Sequence, residues 1–137
     1  MAARLKRERV DLLIEHLWQQ GYLTLSRKFG KYLPAPPTIS GYEVDSISKY
    51  KKKLAVGITI SEEELNDIKF LTKLEAILKY QMQNQANRVT LFLGVPNNSV
   101  VKATMLISTL SAEIQKHIKI VALREKNSPH LATDSQR

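Results

Sequence analysis

The sequence predicts an α/β fold, a mixed β-sheet flanked by helices in the order α-β-β-β-α-β-α-β. Three observations carry that reading: apolar residues recur at helical spacing in the first segment, adjoining segments of strand composition follow it, and strand-like and helix-like stretches alternate in the second half. Strands in series followed by strand-helix-strand crossovers give a sheet with both antiparallel and parallel neighbours. With 137 residues, 43% of them hydrophobic, the chain has the size and the apolar content of one domain. Residues 1–125 are assigned to that domain, and 126–137, which have little to bury, to a flexible C-terminal tail.

The elements follow in order. Val10, Leu13, Ile14, Leu17 and Trp18 recur at spacings of three and four among charged residues, which predicts an amphipathic helix ended by Gly21. Tyr22–Ser26 is rich in strand formers and runs into a loop over 31–40, where Pro34, Pro36 and Pro37 forbid regular pairing. Tyr42–Ser48 and Leu54–Ile60 read as two strands of a hairpin with Lys49–Lys53 as its polar turn. Ser61 ahead of Glu62, Glu63 and Glu64 is a helix start, since a hydroxyl caps free amides and carboxylates oppose the positive helix end. Ile68, Leu71, Leu74, Ile77, Leu78 and Met82 are expected to form its buried stripe. Val89–Val95 is an apolar strand, Ser99 is expected to cap a helix carrying Val100, Ala103, Ile107, Leu110 and Ile114, and Ile118–Leu123 is the last strand.

Composition excludes several chemistries. The absence of cysteine removes disulfides and thiolate metal sites. No apolar run approaches the roughly 20 residues that cross a bilayer, and the N-terminus lacks a signal-peptide pattern, so a cytoplasmic protein without membrane contact is expected. His16, His117 and His130 have no paired metal-ligand spacing, no Gly-x-Ser-x-Gly elbow exists, and Gly94–Ser99 lacks the glycine and lysine pattern of a phosphate-binding loop. The formal net charge of +8 points instead to a polyanionic partner, foremost DNA.

Glu43-Val44-Asp45 on the second strand, and the charged first turn Lys6-Arg7-Glu8-Arg9-Val10, resemble segments of the restriction-endonuclease-like nuclease superfamily, nearest to the archaeal Holliday-junction resolvases. The resemblance covers roughly residues 4–125. It implies an acid in the first helix, for which Glu8 stands, a metal-binding aspartate on the second strand, for which Asp45 stands, and an acid-x-lysine motif on the third. There this sequence departs from the pattern: within Ala55-Val56-Gly57-Ile58-Thr59, Gly57 replaces the acid and Thr59 the lysine. Hydrolysis by that route needs a hard cation, Mg²⁺, held by at least two carboxylates. Glycine supplies no ligand and threonine a neutral hydroxyl, so the motif is degenerate. Glu43, Glu62–Glu64, Lys69 and Lys73 are the groups that could have taken over.

Candidate site residues follow from both arguments. Asp45, Glu8 and Glu43 are candidate catalytic remnants, with Asp45 also the candidate metal ligand; solvated polar roles compete for each. Lys49, Lys51, Lys52 and Lys53 form the densest basic run, and Arg7, Arg9, Arg27, Lys28 and Lys31 could extend a phosphate-binding surface. The leading expectation is a DNA-binding protein of nuclease-like fold that is catalytically degenerate. Its rivals are a Mg²⁺-dependent endodeoxyribonuclease with relocated catalytic groups, and a protein-interaction module, for which a homodimer is one form, that binds no nucleic acid.

Overall fold

The computed structural model describes residues 2–85 and 88–124; the expected tail lies outside the described residues. Helix α1 (Ala2–Gln19) leads into β1 (Leu23–Arg27), β2 (Ser46–Tyr50) and β3 (Lys53–Thr59). After these come α2 (Glu62–Leu65), α3 (Phe70–Gln85), β4 (Val89–Pro96), α4 (Val100–Ile107), α5 (Ala112–Gln115) and β5 (Ile118–Leu123). The strands form one sheet in sequence order, with β1, β2 and β3 antiparallel in turn and β3, β4 and β5 parallel. The chain is therefore α/β, with a five-stranded mixed sheet flanked by helices. No described helix is long and apolar enough to cross a membrane.

Alternation along the strands divides the core in two. Val56, Ile58, Leu91, Leu93 and Val95 face α3, α4 and α5, whose Leu74, Ile77, Leu78, Ala103, Ile107 and Ile114 are buried against them. Ala55, Phe92, Val121 and Leu123 face the other way and meet Leu13 and Leu17 of α1. β3 and β4 are thus covered on both faces, which is why they read as nearly continuous apolar runs. Gly21 ends α1 at φ 97, a backbone state that glycine enters without cost.

Several boundaries differ from the sequence reading, each for a local reason. Trp18 is 70% exposed because the buried stripe of Val10, Leu13 and Leu17 leaves it on the flank of the helix. β2 starts at Ser46 because Tyr42 is engaged in a tight turn, bridging Ile39 across Ser40 and Gly41, both at positive φ. Lys49, Tyr50 and Lys53 belong to the ladder, which narrows the hairpin turn to Lys51 and Lys52. The helix started by Ser61 stops after one turn, and the Asp67 carboxylate accepts from the Lys69 amide to redirect the chain into α3. Ile68 lies in that joint and is 92% exposed, outside the expected stripe. The next expected helix is likewise split: α4 ends at Ile107 and Ile114 belongs to α5. Ser99 makes no capping bond to α4, whereas Ser111 caps α5.

Candidate functional site

The C-terminal ends of β1, β3, β4 and β5 lie on one edge of the sheet, where β2 begins. α1 runs back along β1 from the Gly21 turn, so its first turns reach the same edge; the Asp11 carboxylate pairs there with Arg27 at the end of β1. In sheets of this kind, ligand-binding groups gather outside the carboxyl ends of the parallel strands. Here that edge holds Lys6 from α1, Lys28 just after β1, Glu43 and Asp45 just before β2, Thr59 at the end of β3 and Lys73 from α3.

Asp45 is the centre. It is 2% exposed, and its Oδ2 accepts from the Thr59 amide at 2.6 Å, the Thr59 hydroxyl at 3.0 Å and the Lys6 ammonium at 2.9 Å. Lys6 Nζ also donates to the Thr59 carbonyl at 2.6 Å, so one ammonium bridges a carboxylate and a main-chain oxygen. Lys28 Nζ stands 2.7 Å from Glu43 Oε1 and 3.6 Å from Asp45 Oδ1. Burial pulls the Lys28 ammonium toward deprotonation, but the hydrogen bond to Glu43 and the charges of Asp45 and Glu43 outweigh it and raise its pKa. The same bond and charge lower the pKa of the exposed Glu43. Lys73 goes the other way. Burial depresses its pKa and outweighs the charges around it, of which Asp45 and Glu64 pull it up while Lys6 and Lys28 push it down.

A divalent cation does not fit these residues. Asp45 and the Thr59 carbonyl would be hard oxygen donors, but the Lys6 ammonium already stands between them. Glu43 is engaged by Lys28. At Gly57, where the implied second acid would stand, a Cβ would overlap the Ser46 hydroxyl and come within 3.1 Å of Leu13 Cδ2. Side chains from β2 and α1 fill that space. Among the described residues no three His, Asp or Glu side chains converge as a metal site would require. Glu8 is half-buried on α1, two residues beyond Lys6.

The basic candidates separate into two groups. Arg7, Arg27 and Lys31 line an open groove of about 570 Å³ between α1 and the loop after β1, together with Asp11, Phe29, Gly30, Tyr32 and Leu33. Lys28 lies beside it in the Asp45 cluster and Arg9 is half-buried on α1. Lys49, Lys51, Lys52 and Lys53 are exposed at the opposite end of the β2–β3 hairpin. From Asp45 to Lys51 the chain is extended over six residues, roughly 20 Å, so the hairpin tip is not beside the cluster.

The chain has no match to any family model, and none was found among curated proteins or solved structures. Some of what is prominent at this edge has no signal in the sequence. Lys6 reads as part of a charged helix turn that could extend a basic surface, not as the partner of Asp45, and Phe29 and Tyr32 carry no signal beyond being aromatic residues near basic ones. The sequence did offer Lys73 and Thr59, the first as a lysine able to reach over from the helix and the second as the residue in the lysine's place.

Proposed function

We propose that the protein binds nucleic acid through the carboxyl edge of its sheet, as a nuclease-like domain whose metal chemistry has been replaced by fixed ammonium groups. The observation that carries this reading is the convergence of Lys6 and Lys28 on one buried carboxylate, whose charge also reaches Lys73, next to a groove lined by Arg7, Arg27 and Lys31. Cations drawn from three separate elements onto one edge form the footprint that a phosphate backbone requires. Kinship with the restriction-endonuclease-like nucleases belongs to the same proposal. Its support is the hydrogen bond between Asp45 and Thr59, which joins two of the stations that the resemblance implies.

The test is anisotropy of labelled DNA and RNA across a salt series from about 50 to 200 mM, with affinity expected to fall steeply along the series. Arg7→Glu and Lys31→Glu are each expected to weaken binding and flatten the salt slope. Binding that ignores salt, or a stable dimer that retains no nucleic acid, overturns the reading in favour of an interaction module. Strand cleavage that requires Mg²⁺ and is lost in Asp45→Ala overturns the loss of metal chemistry.

A further inference from the structure

The groove beside the cluster has walls that phosphate binding alone does not explain. Phe29, Tyr32 and Leu33 are exposed in it at 39%, 95% and 39%, between Arg7, Arg27 and Lys31. The Arg7 guanidinium lies over the Phe29 ring at 5.4 Å, and Tyr32 has almost all of its surface in water. Phe29 holds φ 62, a left-handed state that a bulky side chain adopts only when its surroundings impose it. The surroundings are specific. The Arg27 amide donates to the Pro34 carbonyl at 2.9 Å and closes the loop, while the Lys28 amide donates to the Asp45 carbonyl at 2.9 Å and ties the loop to the site. Pro34, Pro36 and Pro37 stiffen the chain that follows. The aromatic pair is therefore presented on a clamped loop.

A duplex offers little to such a surface, because its bases are stacked inside and its exterior is phosphate and sugar. An unpaired strand offers both partners at once: flat π-faces for aromatic rings and phosphates for guanidinium and ammonium groups. A volume of about 570 Å³ lies within the span of clefts that enclose small organic ligands, enough for a base with its sugar.

We infer that the groove between α1 and the 28–33 loop takes an unpaired nucleotide of a single-stranded nucleic acid, its base stacked on Tyr32 and its phosphates held by Arg7 and Lys31. The inference rests on the proposed nucleic-acid binding and names the form of strand that this edge recognises. Arg27, already paired with Asp11, fixes the groove wall, and Lys28, paired with Glu43 and facing Asp45, anchors the start of the loop.

The test compares a labelled single strand of about 15 nucleotides, as DNA and as RNA, with a blunt duplex of the same length, by anisotropy on the full chain. A single strand of either sugar is expected to bind more tightly than the duplex. Tyr32→Ala is expected to lower single-strand affinity by about 5- to 100-fold and to leave duplex affinity unchanged, with Tyr32→Phe close to the parent protein. The exposed position of Tyr32 allows both variants to fold, which a thermal melt checks. Equal or tighter binding of the duplex, or unchanged single-strand binding by Tyr32→Ala, overturns the inference while salt-sensitive duplex binding leaves the broader reading standing. If neither form binds in a salt-sensitive way, both fall.

Discussion

Lys73 reports on the cluster more directly than any other single residue, because its surroundings oppose its charge. Burial lowers its pKa from the ordinary 10.5, with Lys6 and Lys28 adding to the effect and Asp45 working against it. An unfolded chain has no such burial, so in the window below 10.5 the unfolded state binds more protons and folding stability rises with pH. Lys28, whose pKa is raised, works in the opposite sense: its contribution is complete below 10.5 and is lost as pH climbs through its higher folded value. Lys73→Met removes a buried charge and keeps the apolar stem, so at neutral pH it is expected to be more stable than the parent protein. That advantage should shrink as pH approaches 10.5, where the parent sheds the proton. Urea unfolding of both proteins across this range measures it; a pH-independent difference would refute the account. Asp45 was singled out in the sequence because Glu43-Val44-Asp45 resembles the second-strand segment of the restriction-endonuclease-like nucleases. Its partners were not, since the contact between residues 6 and 45 depends on how α1 lies across the sheet.

Between elements, the fit of α1 against β3 decides what the site can hold. Ala55, Gly57 and Thr59 point toward α1, and the alternation of small and large residues in β3 was visible in the sequence. What the sequence could not tell was why position 57 is small. Ser46 faces Gly57 across the β2–β3 ladder, and its buried hydroxyl has no hydrogen-bond partner, while Leu13 presses from α1. Gly57→Ala is expected to cost about 1–3 kcal/mol, because the hydroxyl must turn away and Leu13 must shift. Adding Ser46→Ala removes both the obstructing oxygen and an unsatisfied buried polar group, so the double variant should recover most of that loss. Denaturant midpoints of the two single variants and the pair form the required cycle. Additive costs would mean that the two positions do not compete for space. The split helices show the same limit at local scale: the capping box of Ser61 and Glu64 was legible, but the Asp67 turn that ends so short a helix depends on side-chain geometry rather than periodicity.

At the scale of the whole molecule, the net charge of +8 is organised by topology. The mixed sheet was foreseeable, because adjoining strands can pair directly whereas a strand-helix-strand crossover brings parallel neighbours. Reading which basic residues share an end was not, because it requires the direction of every strand. β2 runs away from Asp45, which carries Lys51 and Lys52 to one end of the sheet, while α1 and β1 leave Arg7, Arg27, Lys28 and Lys31 at the other. A surface lysine within a Debye length of about 10 Å still attracts a polyanion, but across the sheet that attraction is mostly screened. Each phosphate contact contributes about 0.9 to the slope of log affinity against log salt. Replacing Lys51 and Lys52 with Gln is therefore expected to change that slope by well under one unit, whereas replacing Arg7 and Lys31 with Gln should reduce it by about two contacts' worth. Salt titrations of the two double variants with the same labelled strand decide between the ends: a larger loss of slope at the hairpin tip would move the phosphate-binding surface there and away from the Asp45 edge.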